Sequence, residues 1–154
     1  MNKTERPRLS WEETALRLAY DIANYRSPDP YVTVGACAIK KDGNSIVLAY
    51  NGAPSGVEID WTNRDERRKR VLHAESNLLN RILPNEVEFI AVTHLPCSEC
   101  IKIIRQKNIH KVIYCEELPN YDNALTKQLA KEFGIELTQL LVKHPDYTPK
   151  LILR

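Results

Sequence analysis

The chain has 154 residues and a formal net charge of +2 at pH 7, from 22 basic and 20 acidic side chains. Hydrophobic residues make up 43% and charged residues 27%, as in an ordinary globular domain. The near-neutral charge argues against a protein that binds nucleic acid through a broad basic face. No apolar run approaches the ~18 residues of a membrane span, so we expect no membrane partner.

The first ten residues lack the apolar segment of a secretory signal, and we therefore expect a cytoplasmic protein. Four cysteines in a reducing compartment remain thiols. In that setting the CxxC pair of Cys97 and Cys100 indicates a metal or redox site rather than a structural disulfide. The length fits one domain, so residues 1–154 are predicted to form a single domain.

The first predicted element is a helix that begins after Ser10, with Glu13 completing a capping-box pattern. The prolines within 27–30 end this helix, because proline disfavours helix in itself and in the residue before it. Residues with helical spacing form its predicted apolar face: Trp11, Ala15, Leu18, Ala19 and Ile22.

A hairpin is predicted next, from two apolar runs on either side of the turn signal Asp42-Gly43. The runs cover 31–39 and 45–50, and antiparallel pairing follows from the short turn between them. The hairpin leads into a glycine- and proline-rich loop at 51–56. The segment 57–64 has no clear periodicity and is expected to be irregular.

The second half of the chain alternates helices and strands. Short connections between them predict parallel strands with right-handed crossovers. Together with the hairpin, they predict an α/β fold with a mixed sheet of about five strands in a three-layer α/β/α sandwich. The first predicted element of this half is a helix marked by Val71, Leu78, Leu79 and Ile82 and closed by Pro84. It is followed by a strand at 87–93, a helix at 98–107 with Ile101 and Ile104 inward, and a strand at 111–115. A helix at 124–133 comes next, with Leu125, Leu129 and Phe133 on one side and Gly134 after it, and the last element is a strand at 135–140.

Two short motifs carry most of the chemistry: His73 with Glu75, and Pro96 with Cys97 and Cys100. Proline suits the first turn of a helix, and cysteines three residues apart share one helix face. The positive end of a helix favours thiolates. Two cysteines and one histidine suit Zn²⁺, and three protein ligands leave a position for water, as in catalytic zinc sites.

Other interpretations of these motifs remain open. A fourth protein ligand would make the zinc structural, and the candidates are Cys37, Cys115, His94 and His110. A CxxC redox protein is a further alternative, although it leaves His73 unexplained.

A carboxylate near a metal-activated water serves as a proton carrier, and Glu75 is expected to have that position. A glutamate considered alone is more often a solvated surface residue.

The sequence "HAE" at 73–75 followed by "PCSEC" at 96–100 resembles the zinc deaminases of the cytidine deaminase superfamily. Four stretches are most similar to its deoxycytidylate (dCMP) deaminase branch: "RSPDPYVTVGACAI", "YNGAPSG", "HAESN" and "LPCSECIKIIRQKNIHKVIY". The resemblance covers most of the chain and implies a cytidine deaminase-like fold. Ser76 and the pair Leu78-Leu79 depart from the common dCMP pattern. Deamination of tRNA adenosine, cytidine, guanine or a pterin-like base therefore remains an alternative.

The resemblance implies hydrolysis of dCMP to dUMP and ammonia with one catalytic zinc ion per chain. His73, Cys97 and Cys100 would hold the zinc, which lowers the pKa of a coordinated water from about 15.7 to about 7. Glu75 would carry protons from that water to ring N3 and to the departing amine. We therefore expect Glu75 to be required for catalysis but not for zinc binding.

The resemblance also implies substrate-binding residues. Asn51 would hydrogen-bond the sugar, and the backbone N–H of Ala74 would contact the pyrimidine carbonyl. A 5′-phosphate needs cationic or hydrogen-bonding partners, for which Arg26, Ser98 and Tyr121 are candidates. Each candidate also has an ordinary interpretation, respectively as a solvated helix end, a helix cap and a loop anchor.

Regulation and assembly follow from the same resemblance. Enzymes of this branch are typically homohexamers, activated by dCTP and inhibited by dTTP, with Mg²⁺ on the triphosphate. The loop residues Asn51 and Gly52 and the basic residues Arg64, Arg67 and Arg68 are candidates for an effector site, because glycines expose backbone N–H groups and arginines neutralise phosphates. The alternative is a hairpin exit loop and a solvated helix face.

Overall fold

A computed structural model describes residues 5–143, and the C-terminal segment from His144 lies outside these described residues. Within them, no helix has the length and apolar character needed to cross a lipid bilayer. This part of the chain forms five helices and five strands, in the order α1 (Trp11–Arg26), β1 (Gly35–Lys40), β2 (Ile46–Tyr50), α2 (Arg64–Arg70), α3 (Ala74–Leu79), β3 (Val87–His94), α4 (Ser98–Gln106), β4 (Lys111–Glu116), α5 (Asn123–Glu132) and β5 (Glu136–Gln139).

The five strands form one mixed sheet in the order β2-β1-β3-β4-β5. Strand β1 runs antiparallel to both of its neighbours, and β3, β4 and β5 are parallel. Consequently β2, β3, β4 and β5 all point the same way and end at one edge of the sheet. The predicted hairpin, the parallel second half and the five-stranded sheet are confirmed.

Side chains alternate between the two faces of the sheet and build two separate cores. On one face α1 packs against β1, β3 and β4 through residues such as Leu16, Cys37 and Cys115. On the other face the core includes residues of α3, α4 and α5, among them Leu78 and Ile101. Helices therefore cover both faces, which confirms the predicted three-layer α/β/α sandwich.

The N-terminal cap of α1 is as predicted, but its buried face is not. The Ser10 hydroxyl oxygen accepts a hydrogen bond from the backbone N–H of Glu13 at 3.1 Å. Trp11, predicted to be buried, is 46% exposed, and Leu18 and Ile22 are only partly buried. The buried stripe lies one residue further around the helix and comprises Ala15, Leu16, Ala19, Tyr20 and Ala23.

The close approach of α1 to β1 explains this rotation. A Cβ atom at Gly35 would lie 1.8 Å from the carbonyl oxygen of Ala19, so the helix backbone rests directly on the glycine. Such close contact requires small side chains at the point of approach, and alanines satisfy it. The predicted burial of Ala15 and Ala19 is confirmed, whereas Leu16, Tyr20 and Ala23 are buried in place of Trp11, Leu18 and Ile22.

The predicted helix around 71–82 is helical only over Ala74–Leu79 (α3), and a separate helix, α2, precedes it. Ile82 is buried but lies beyond the end of α3. Helix α2 ends at Arg70 and α3 begins at Ala74, so Val71 caps α2 and does not belong to the same helix as Leu78. Between the helices Leu72 pairs with Gly52, through backbone hydrogen bonds of 3.1 and 2.7 Å. This long-range bridge holds the backbone extended and interrupts the helix. The predicted irregular segment before α2 is confirmed.

Helix α5 also exposes a residue that was predicted to face inward. Leu125 is 37% exposed, whereas Thr126 and Ala130 are buried and Leu129 and Phe133 are partly buried against the core. The predicted end of this helix at Gly134 is confirmed, since Gly134 adopts a positive φ of 70°.

Candidate active site

The two sequence motifs meet at the edge of the sheet where β2, β3 and β4 end. His73 is the N-cap residue of α3, and Cys97 is the N-cap residue of α4. Neither side chain caps its own helix with a hydrogen bond, so both are available for a ligand. Cys100 lies in the first turn of α4 and is buried. Two helix N-termini therefore converge on these three side chains.

The three donor atoms have the spacing of a tetrahedral zinc site. His73 Nδ1 lies 3.7 Å from Cys97 Sγ and 3.7 Å from Cys100 Sγ, and the two sulfurs are 3.4 Å apart. Tetrahedral zinc with Zn–S of about 2.3 Å and Zn–N of about 2.0–2.1 Å places two sulfurs about 3.8 Å apart and sulfur and nitrogen about 3.6 Å apart. The donor set and its spacing therefore fit Zn²⁺.

Among residues 5–143, no fourth histidine, cysteine or carboxylate joins this group of donor atoms. Cys37 and Cys115 belong to the core on the α1 side of the sheet, away from the motifs. His94 has Nδ1 2.7 Å from Thr93 Oγ1 and Nε2 3.7 Å from a carboxylate oxygen of Glu116. The fourth candidate, His110, is exposed just before β4, at the opposite edge of the sheet. The described site therefore has the three-ligand pattern of catalytic zinc.

Glu75 lies in the first turn of α3 and is only 4% exposed. Its Oε2 is 3.5 Å from Cys100 Sγ, beside the donor group. Burial raises the pKa of the Glu75 carboxyl, and the neighbouring His73 opposes that shift. Glu75 is therefore not the solvated residue of the alternative interpretation, because it is a buried carboxyl group next to the metal ligands.

A cavity of about 550 Å³ opens above these residues. Its volume lies within the ~300–1,000 Å³ that is usual for small-molecule sites. Predicted site residues in its wall are Asn51, Arg64, Arg67, Arg68, His73, Ala74, Glu75, Cys97 and Tyr121. The wall also contains residues that sequence reasoning did not select, among them Tyr31, Val34, Leu95 and the segment 118–120.

Three predicted binding residues do not line this cavity. Arg26 is exposed at the C-terminal end of α1, and Ser98 is partly buried as the first residue of α4. Gly52 is engaged in the backbone bridge to Leu72. By contrast, the Tyr121 ring lies nearly parallel to the His73 ring, with 6.3 Å between their centroids. Burial raises the pKa of Tyr121 to about 12, so its hydroxyl is protonated at neutral pH.

Asn51 is held by four protein partners. Its side-chain Nδ2 donates to Asp29 Oδ2 at 3.1 Å and to the carbonyl oxygen of Val32 at 3.0 Å. Its Oδ1 accepts from the N–H of Val34 at 2.8 Å and from the Ser27 hydroxyl at 2.7 Å. These bonds use both amide hydrogens and both lone pairs. Asn51 thus shapes the 27–34 segment, and its contact with a sugar stays a prediction.

Asp29 and Arg67 form a buried ion pair that sequence reasoning missed. Arg67 Nε donates to Asp29 Oδ2 at 2.8 Å, and Arg67 Nη2 contacts the same oxygen. The side chains are 0% and 10% exposed, respectively. Asp29 Oδ1 accepts from the backbone N–H groups of Tyr31 and Val32. The only local signal was an aspartate followed by proline, which had been interpreted simply as the end of α1.

The cysteines differ in reactivity, and alkylation can test this difference. Contacts with Cys100 and His73 lower the pKa of Cys97 to about 4, whereas burial raises the pKa of Cys37 to about 12. Above its pKa Cys97 is already a thiolate, so in zinc-free protein its alkylation rate should stay constant between about pH 6 and 8. Iodoacetamide labelling followed by peptide mass spectrometry should find Cys97 modified and Cys37 unmodified.

Zinc supplies the control for this labelling experiment, because a metal-bound thiolate is shielded from alkylation. Protein loaded with zinc beforehand should lose most of the labelling at Cys97. A Cys97 rate that rose about tenfold per pH unit would contradict the lowered pKa.

A mixed sheet that presents one histidine, two cysteines and a buried glutamate at two helix N-termini has the features of the zinc-dependent deaminase class. The family model described as "Cytidine and deoxycytidylate deaminase zinc-binding region" matches residues 9–116. The chain belongs to this family, which confirms the resemblance found in the sequence.

Known proteins of the family support the same placement. Human deoxycytidylate deaminase is 31% identical over 119 residues, which span 71% of this chain and 66% of that protein. "ComE operon protein 2" of Bacillus subtilis is 30% identical over 141 residues, covering 86% of this chain and 72% of that one. The crystal structure of dCMP deaminase from the cyanophage S-TIM5 in complex with dCMP and dUMP superposes with a TM-score of 0.71 at 26% identity, covering 86% of this chain and all of that chain.

Proposed function

We propose that this protein hydrolyses dCMP to dUMP and ammonia, with zinc held by His73, Cys97 and Cys100. The observation that carries the proposal is the buried carboxyl group of Glu75, 3.5 Å from a ligand sulfur and facing a cavity of about 550 Å³. A metal that only stabilised the fold would not require such a group. The structural-zinc alternative is also disfavoured because the described donor group has three members.

When bound, zinc supplies the Lewis acidity that makes water nucleophilic near neutral pH. Glu75 accepts one proton of the attacking water at Oε2 and delivers it to ring N3. It then accepts the remaining proton of the hydroxyl group formed at C4 and passes it to the amine, so that the C4–N bond breaks, ammonia leaves and the C4 carbonyl forms. Burial raises the pKa of Glu75, which suits a group that must both take and give a proton. In this proposal the Ala74 N–H, at the start of α3, orients the pyrimidine carbonyl.

Three observations support a deoxynucleotide substrate over the alternatives. The human relative is named deoxycytidylate deaminase, and the cyanophage structure contains dCMP and dUMP. Basic residues of α2 line the cavity, as a phosphorylated substrate requires. The near-neutral net charge disfavours tRNA adenosine. Cytidine and guanine are uncharged, so they would not use the basic wall.

Finer properties of the proposal rest on the family resemblance alone. They are activation by dCTP, inhibition by dTTP, Mg²⁺ bound with the effector triphosphate, and a hexameric assembly. A cytoplasmic location is part of the proposal on other grounds, because free cysteines suit a reducing compartment. In this proposal Asn51 and Gly52 contribute to the effector site, and Arg26, Ser98 and Tyr121 are further candidates for phosphate contact. These properties are separable from the chemistry at Glu75.

Release of ammonia tests the proposal directly. Zinc-loaded protein would be incubated with dCMP, deoxycytidine, cytidine, guanine or a tRNA anticodon stem, each with and without dCTP or dTTP plus Mg²⁺. We expect rapid turnover of dCMP, faster with dCTP and slower with dTTP. Preferential turnover of another substrate would overturn the assignment of dCMP, and no turnover of any substrate would overturn the assignment as an enzyme.

A further inference from the structure

We propose that helix α2 provides the phosphate-binding wall of the catalytic cavity, with Arg64 and Arg68 as the residues that bind a phosphate monoester. This inference rests on the proposed function, because it assigns the part of the same site that recognises the substrate's phosphate. The sequence suggested that Arg64 and Arg68 bind an effector, whereas this inference assigns them to the substrate, because they line the same cavity as Glu75.

The charges of α2 are sorted between two sides of the helix. Arg64, Arg67 and Arg68 lie at positions i, i+3 and i+4, which share one helix face, and all three line the cavity. On the other side Glu66 pairs with Arg70 and lies 3.6 Å from Lys69. Glu66 therefore offsets part of the positive charge away from the cavity, whereas no acidic residue of α2 lines the cavity.

The three cavity-facing arginines are not equivalent. Arg67 is buried, and its guanidinium is bound by Asp29, so it anchors the helix to the 27–34 segment. Arg64 and Arg68 are exposed, and within residues 5–143 neither forms a hydrogen bond or ion pair. Arg64 lies over the Tyr31 ring, with its guanidinium carbon 5.7 Å from the ring centroid. Two cations thus face the cavity without an anionic partner.

A phosphate monoester is the ligand chemistry that fits this arrangement. It carries about −1.5 to −2 charge at neutral pH and three acceptor oxygens, matching two guanidinium groups one helical turn apart. Arg64 and Arg67 both pack on the Tyr31 ring, and the guanidinium carbon of Arg67 lies 5.2 Å from the ring centroid. This packing, together with the Asp29 pair, fixes α2 before ligand arrives and so reduces the entropy lost on binding.

Charge-removing substitutions on the two sides of α2 test the inference. The variants are Arg64→Gln, Arg68→Gln and the double variant, with Arg70→Gln as a matched control on the opposite side of the same helix. We expect the double variant to raise KM for dCMP by about 10- to 100-fold, because two charge-assisted hydrogen bonds are lost. Turnover of deoxycytidine, which lacks the phosphate, should be unchanged, and Arg70→Gln should match the wild type with both substrates.

Equilibrium binding keeps this test independent of turnover. Calorimetry would compare dUMP with deoxyuridine for each variant, and we expect the preference for dUMP to fall by the same ~10- to 100-fold in the double variant. A preference that persists in the double variant, or equal binding of the two ligands by the wild type, would overturn the inference. So would loss of the dCTP response with an unchanged KM for dCMP. An absence of dCMP turnover alone would count against the proposed function and not against the binding subsite.

Discussion

Replacing Glu75 with glutamine should lower turnover of dCMP by about 10²- to 10⁴-fold, the usual contribution of a positioned acid–base group. Glutamine has nearly the same shape and keeps hydrogen-bonding atoms at the same position, but it cannot carry a proton. The side chain is 4% exposed, so bulk water is poorly placed to replace it. The measurement is the initial rate of ammonia release at saturating dCMP.

Metal content distinguishes a lost proton carrier from a lost metal. Glu75 is not one of the three clustered donor residues, so the variant should retain about one zinc per chain by atomic absorption. The matched control is Glu132→Gln, which makes the same change at an exposed position of α5 and should keep full activity. Normal turnover in zinc-loaded Glu75→Gln protein would exclude the assigned role.

Replacing Asp29 with alanine should lower the free energy of unfolding by about 3–5 kcal/mol, because it leaves a buried charge without its partner. Arg67 is 10% exposed and would lose its bound carboxylate. The same substitution removes the acceptor for Asn51 Nδ2 and for the N–H groups of Tyr31 and Val32. Urea unfolding followed by circular dichroism measures the change.

An exposed ion pair of the same chain provides the contrast. Glu66→Gln breaks the pair with Arg70, whose side chains are 40% and 49% exposed, and should cost less than about 1 kcal/mol. The double variant Asp29→Leu with Arg67→Met should recover much of the stability, since removing both charges also removes their desolvation cost. Equal decreases in the free energy of unfolding for Asp29→Ala and Glu66→Gln would show that the buried Asp29–Arg67 pair stabilises the protein no more than an exposed pair does.

The candidate metal site was predictable because its residues obey local rules. His73, Cys97 and Cys100 are recognised from spacing along the chain, and a proline before a CxxC indicates a helix start. The sheet was predictable for a similar reason, since a turn signal and alternating elements determine strand direction. Neither inference requires knowledge of which distant side chains touch.

The features that were missed depend on contacts between distant parts of the chain. Asp29 and Arg67 are 38 residues apart, and nothing local to either indicates the other. The break between α2 and α3 comes from the pairing of Leu72 with Gly52, which overrides a helical pattern of apolar residues. The buried face of α1 was likewise decided by its close approach to Gly35, which brings Ala19 and Ala23 against the sheet, whereas Trp11 is left exposed.

The shared direction of four strands has a consequence for how this protein can change. The segments after β2, β3 and β4 all leave the same edge of the sheet, and each contributes a different part of the cavity. The segment after β3 contributes Cys97, the segment after β2 contributes the basic wall, and 118–121 after β4 contributes a further wall. Substitutions on α2 or in the β4–α5 connection can therefore alter which molecules enter, while the candidate metal ligands at the starts of α3 and α4 are unchanged. In the proposed function, selectivity and chemistry thus depend on different residues around one cavity.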